Sequence, residues 1–231
     1  FSEALTITPQ DQQLYYYAGY SADMLDNFKG AQAIYEQGLA KFPEYSVLRK
    51  RLVYHYITSD SYDKAIATLA PIDEMERDVQ YYLLLSSAYD GKKDDKRAIS
   101  TLQEGIQVHT YNAALFMSLA AKYEKLGRYD DSINLLEQAL KYEPESAEIQ
   151  NFLGYMLADL NRNLDRAFTL ISSALKQEPD NYAYIDSLAW VHFRRGEFKK
   201  ARDLMVRALK INPKDEELID HMQQIEKALG K

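Results

Sequence analysis

Four histidines, His55, His109, His192 and His221, are the only imidazoles in the chain, and there is no cysteine. A metal held by paired imidazoles needs them at helical or short-loop spacing, and these four lie far apart. No phosphate-cradling glycine loop and no nucleophile elbow accompanies them. Disulfide and thiolate chemistry are excluded, which by itself does not decide the compartment. Carboxylates are numerous, 35 in 231 residues, as expected of a charged helical protein. Asp186, four residues before the single tryptophan Trp190, acquires chemical interest only if the fold desolvates it. The reading is a protein with no catalytic residue, no cofactor and no metal site.

The net charge of −7 argues against sequence-indifferent nucleic-acid binding, because displacing phosphate counterions needs a basic surface. No apolar run approaches the 18 or so residues of a membrane-spanning helix.

The elements that position these side chains are clearest between Asn181 and Pro213. Ile185, Leu188, Ala189 and His192 share one helical face, Gly196 breaks the run, and Ala201, Leu204, Met205, Ala208 and Leu209 form a second amphipathic stripe before Pro213 stops it. The small residues Ala189, Ala201 and Ala208 allow two antiparallel helices to approach closely, and Phe198 and Met205 fill the space beside them.

This spacing of aromatic, Leu, Gly, Ala and Pro positions resembles the tetratricopeptide repeat, a helical hairpin of about 34 residues. The resemblance implies an all-α fold, a right-handed α-α superhelical solenoid of such hairpins whose apolar faces are buried only by stacking. Six units follow at 12–45, 46–78, 79–112, 113–146, 147–181 and 182–215, and one elongated body is expected. Residues 1–11 read as the end of a preceding repeat, with Phe1, Ala4, Leu5 and Pro9 at closing positions, so further sequence upstream is expected. In the second unit Pro71 arrives early and should end or kink the helix. In the fifth, an extra residue sits in the turn from Asn161 to Asp165. Residues 216–231 read as a capping helix with Ile219, Met222, Ile225 and Leu229 inward and Glu217, Asp220, Gln223, Gln224 and Lys227 outward.

In this family the first helix of each hairpin lines the binding groove, which directs residues one, four and eight places after each unit's start into it. Among the positions selected, Tyr16, Tyr20, Lys50, Tyr54, Met117, Asn151, Tyr155, Asp186 and Trp190 form the expected partner-binding groove. Tyr and Trp there offer large contact area with a polar edge. Tyr56, Tyr89 and Tyr123 fall at packing positions and are expected in the core, as is His192, which stands in an aromatic's place.

The Lys, Asn, Asn, Lys, Arg clamp with which some cochaperones of this family hold a C-terminal carboxylate is not reproduced. Tyr54 and Leu84 stand where its asparagines belong, and a carboxylate needs convergent donors. Arg194, Arg195, Lys199, Lys200, Arg202, Arg207, Lys210 and Lys214 form a basic stretch, read as a solvated outer face. The last two units, Leu153 to Pro213, are most similar to bacterial members of the family, including envelope lipoproteins. The resemblance therefore implies a non-catalytic scaffold binding a protein or peptide, without a transmembrane segment, peripherally associated with the bacterial envelope in the periplasm or at the outer membrane. The alternative is a cytoplasmic protein, or a regulatory module presenting a catalytic or membrane domain upstream.

Overall fold

The computed structural model describes residues 10–230. These residues form thirteen α-helices and one short 3₁₀ turn at Glu74–Glu76. They pair as α1 (Gln12–Asp23) with α2 (Phe28–Lys41), α3 (Ser46–Thr58) with α4 (Tyr62–Leu69), α5 (Val79–Gly91) with α6 (Asp95–Val108), α7 (Ala113–Lys125) with α8 (Tyr129–Tyr142), α9 (Ala147–Asp159) with α10 (Leu164–Gln177), and α11 (Tyr182–Arg194) with α12 (Phe198–Ile211). A last helix, α13 (Glu216–Leu229), follows. The expected close of a preceding repeat at Phe1, Ala4, Leu5 and Pro9 lies outside the described residues.

Local sequence explains the boundaries. Asp11, Asn27, Asp78, Asp94, Asn112, Ser146, Asn163, Asn181 and Asp215 each accept a hydrogen bond from a backbone N–H of the following first turn, each such cap contributing about 1 kcal/mol. Every hairpin turn contains a residue with positive φ just before the second helix: Asp26, Asp60, Lys93, Gly127, Asn161 and Gly196. Only two of these are glycine. The extra residue of the fifth turn shows as a second positive φ, at Asn163. As Pro71 predicts, α4 ends at Leu69, after which Ile72 turns back into the core.

The fourth residue of each second helix is small and fully buried in the hairpin seam. Ala31, Ala65, Ala98, Ala167 and Ala201 occupy it, and in the fourth hairpin Ser132, all 0% exposed. A larger side chain there would hold the two helices apart. Ser132 fits because its hydroxyl donates to the Ala120 carbonyl across the pair at 2.8 Å, which satisfies a polar group that burial would otherwise penalise.

The packing groups the helices into two compact units that meet in sequence at Thr110 and Tyr111, where a single body was expected. The first contains α1 to α6. Its core includes Tyr15, Tyr35, Leu48, Leu52, Leu69, Tyr82 and Leu102. The second contains α7 to α13, with one apolar cluster around Leu136, Leu153, Met156, Ile171 and Trp190 and another around Ile185, Ala201, Met205, Leu218 and Ile225. Tyr56 and Tyr123 are buried as expected, Tyr89 half-buried.

The inward stripe of α13 differs from the expected one. Leu218, His221 and Ile225 are buried, Met222 and Leu229 half-buried, while Ile219 is exposed. The helix turns Leu218 and Ile225 into the Ile185 cluster and, on the same face, His221 against a carboxylate of α11.

Candidate functional site

In the first unit, α1 places Tyr16 and Tyr20 one turn apart, with rings stacked at 6.2 Å and 9°. Arg51 of α3 lies over both, its guanidinium carbon 5.7 Å and 5.9 Å from the two centroids, and donates to the Tyr16 hydroxyl oxygen at 3.4 Å. Such cation–π contacts contribute about 0.5–1 kcal/mol each at exposed sites, and they hold the two rings as a platform. Beneath it the buried Tyr35 hydroxyl donates to Asp23 Oδ2 at 2.8 Å. Burial, then the Asp23 hydrogen bond and charge, push the Tyr35 phenol well above its ordinary range. His55 Nε2 sits 3.0 Å from Asp23 Oδ1, an ion-pair distance off the line of a hydrogen bond.

Further along the same unit, Tyr54 (53% exposed) and Phe28 (56%) flank a cleft of about 350 Å³ floored by His55 and edged by Lys29, Gln32, Thr58 and Ser59. Lys50 forms an ion pair with Asp78, whose carboxyl is held below its ordinary range: burial opposes this, but the Lys50 and Tyr81 N–H hydrogen bonds prevail. Lys50 is thus already engaged.

In the second unit three helices each present a pair of side chains four residues apart: Asn151 and Tyr155 from α9, Asp186 and Trp190 from α11, Glu217 and His221 from α13. His221 Nδ1 lies 2.8 Å from Asp186 Oδ1, with both side chains more than nine-tenths buried. Asp186 is therefore desolvated, the condition that makes it chemically interesting. The Trp190 ring stacks on His221 at 4.2 Å and on Phe193 at 4.8 Å, and its indole N–H donates to Asp159 Oδ1 at 3.2 Å. The Tyr155 hydroxyl donates to Glu217 Oε1 at 3.3 Å.

Carboxylates dominate this cluster. Glu124 is raised above its ordinary value by burial and then by the charges of Asp159 and Glu217. The Tyr155 phenol is raised by burial and by Glu217, Asp159 and Asp186. For His221, burial lowers the pKa, but the Asp186 hydrogen bond and charge, with Glu217 and Asp220, outweigh it and the net shift is upward.

Two of the nine expected groove residues require correction. Trp190 is 4% exposed and Asp186 5%, so neither offers a free surface; α13, read as a polar cap, lies over them. Met117, Tyr155, Asn151, Lys50 and Tyr16 are half-buried, Met117 and Tyr155 packing against the Leu153 cluster. The Asn151 Oδ1 is buried without a hydrogen bond. Tyr20 and Tyr54 are exposed. Glu217 and His221 were not among the expected site residues, although the rule that selects the residue one place after a unit's start, extended to α13, selects Glu217. Half of the basic stretch is engaged within the unit: Arg195 pairs with Asp165, Lys200 with Glu197, Arg202 with Glu226 and Arg207 with Asp180.

Comparison with known proteins decides the family. One tetratricopeptide repeat model matches residues 24–88 and 160–225, more than half of the chain, and two others of the same description match 118–182 and 79–108. The chain belongs to the tetratricopeptide repeat family. Among relatives, the TPR repeat-containing protein PA4667 of Pseudomonas aeruginosa is 29% identical over 144 residues, 62% of this chain and 24% of that protein. The heat shock protein STI1 of Saccharomyces cerevisiae is 28% identical over 149 residues, 60% of this chain and 25% of its own length. The matched stretch thus spans about a quarter of each of these relatives. In fold, the chain is similar to one in the crystal structure of the APC/C hetero-tetramer Cut9-Hcn1, with TM-score 0.78 at 15% identity over 97% of this chain and 44% of that one. It is also similar to MamA MSR-1 C2, with TM-score 0.55 at 21% identity over 72% and 96%. Tetratricopeptide repeats make this a protein-interaction scaffold, a fold and family that are typically non-catalytic.

Proposed function

We propose that this tetratricopeptide repeat protein holds a peptide segment of a partner protein against the first-helix face of its first unit, and that the assembly belongs to the bacterial envelope. The observation that carries the reading is the exposure of the first-helix residues Tyr20 and Tyr54 (41% and 53%), Tyr20 in the Arg51-braced tyrosine pair and Tyr54 at a cleft whose other wall is Phe28 of the second helix α2. Exposed aromatic side chains grouped on one unit mark a contact site, and aromatic and Arg side chains with rigid neighbours supply most binding energy at such sites. The location rests on the resemblance of Leu153 to Pro213 to bacterial envelope members of the family, read from the sequence alone.

Photocrosslinking in the native cell tests both parts. A crosslinking residue at 54 should capture a discrete protein partner that one at 207, on the outer face of α12, does not, and capture should disappear with Tyr20→Ala. Equal capture from both positions, or none from 54, overturns the face assignment. Recovery of the crosslinked species in the cytoplasmic fraction alone overturns the envelope location.

A further inference from the structure

We propose that Asp186, Glu217 and His221 form a site for a divalent transition-metal ion of the zinc class, joining α11 to α13. Among the described residues this is the only group of three or more such side chains whose donor atoms lie close enough, all within 4.8 Å of one another. Asp186 and His221 are already ordered: their side chains are 8% and 7% exposed, and the 2.8 Å between Oδ1 and Nδ1 is close to the roughly 3 Å that separates neighbouring ligands around an ion with bonds of about 2 Å. Glu217 is exposed and brings the third donor from solvent, one turn before His221 on the same helix face. Its carboxylate is oriented by the Tyr155 hydroxyl, the kind of outer hydrogen bond that fixes a metal ligand.

The donor set selects the ion. One imidazole nitrogen with two carboxylate oxygens suits Zn²⁺, Co²⁺ or Ni²⁺, whereas Ca²⁺ and Mg²⁺ take oxygen ligands alone. On binding, the ion replaces the proton shared between Nδ1 and Oδ1, which leaves to solvent, and three protein donors leave a position for water. Asp159 lies close enough to act on both Tyr155 and Glu124 and adds negative potential without occupying the first coordination sphere. The site is independent of the partner-binding face on the first unit.

The single tryptophan of the chain, stacked on the His221 ring, is a built-in reporter. The full chain, stripped with chelator, is titrated with Co²⁺ and, separately, Zn²⁺. The expected result is saturable binding of one equivalent by calorimetry, quenching of Trp190 fluorescence by Co²⁺ with the same midpoint, and a rise in Tm with Zn²⁺. Glu217→Gln, which keeps an oxygen acceptor for the Tyr155 hydroxyl, should leave the metal-free protein folded and weaken both ions by at least about tenfold, while Mg²⁺ should not compete. Absence of saturable binding up to millimolar metal, or wild-type affinity in Glu217→Gln, overturns the site.

Discussion

Tyr54 and Trp190 stand at the same place in their repeats, eight residues into the first helix of the hairpin, yet one is 53% exposed and the other 4%. The first unit leaves its tyrosine beside an open cleft. The second lays α13 over its tryptophan and fixes the cover with a buried His221–Asp186 pair. The repeat determines the direction in which a side chain points, and whether another helix lies in that direction decides if it binds a partner or packs. Charge follows the same division: Arg51 and the tyrosines mark the open face, and Glu124, Asp159, Asp186 and Glu217 the covered one.

Substitution at the two equivalent positions separates the roles most strongly. Trp190→Ala should cost about 3–5 kcal/mol of stability, the usual range for a buried aromatic. Tyr54→Ala should stay within about 0.5 kcal/mol of wild type while weakening partner binding about tenfold, or about 1.4 kcal/mol. Urea unfolding and a binding titration check the pair; similar stability losses at both positions would erase the distinction.

The two units should also respond to pH in opposite directions. The His221 pKa is raised from 6.5, so its pairing contributes fully below 6.5 and is lost as pH rises through the raised value. The Asp78 pKa is depressed from 3.8, so its pairing contributes above 3.8 and is lost as pH falls through the lowered value. In chelator-treated protein, Trp190 fluorescence should report an unfolding midpoint that declines on the alkaline side, and His221→Gln should flatten that decline. An unchanged slope in the variant would remove His221 as its source.

The smallest effect belongs to the turns. The first unit uses Asp26, Asp60 and Lys93 at positive φ, while the second uses Gly127, Asn161 and Gly196. A non-glycine residue in this region costs about 1–2 kcal/mol, partly offset by the chain entropy glycine loses on folding. Lys93→Gly should therefore raise stability by about 0.5 kcal/mol. Gly127→Lys should lower it by about 1 kcal/mol, through backbone strain alone, since no atom lies within 4 Å of a Cβ built there. Paired melting curves distinguish the two signs.

Local and periodic information was sufficient for much of this protein. Caps, Pro71, the longer turn at Asn161 and the small buried residues of the seams each act within one hairpin, where neighbours in space are neighbours in sequence or one helix away. The nature of α13 was not legible in that way. Leu218 and Ile219 are adjacent and both apolar, so a 3.6-residue period accommodates either stripe, and a histidine reads as surface until its counterion is known. That counterion, Asp186, lies 35 residues earlier, beyond the reach of any local pattern. The sequence by itself determined the hairpins, their close-packed seams and the side chains each first helix presents. Only the tertiary structure decided which of those side chains stayed open to a partner and which were buried beneath another helix, because burial and the pairing of charges depend on long-range contacts that no repeat register encodes.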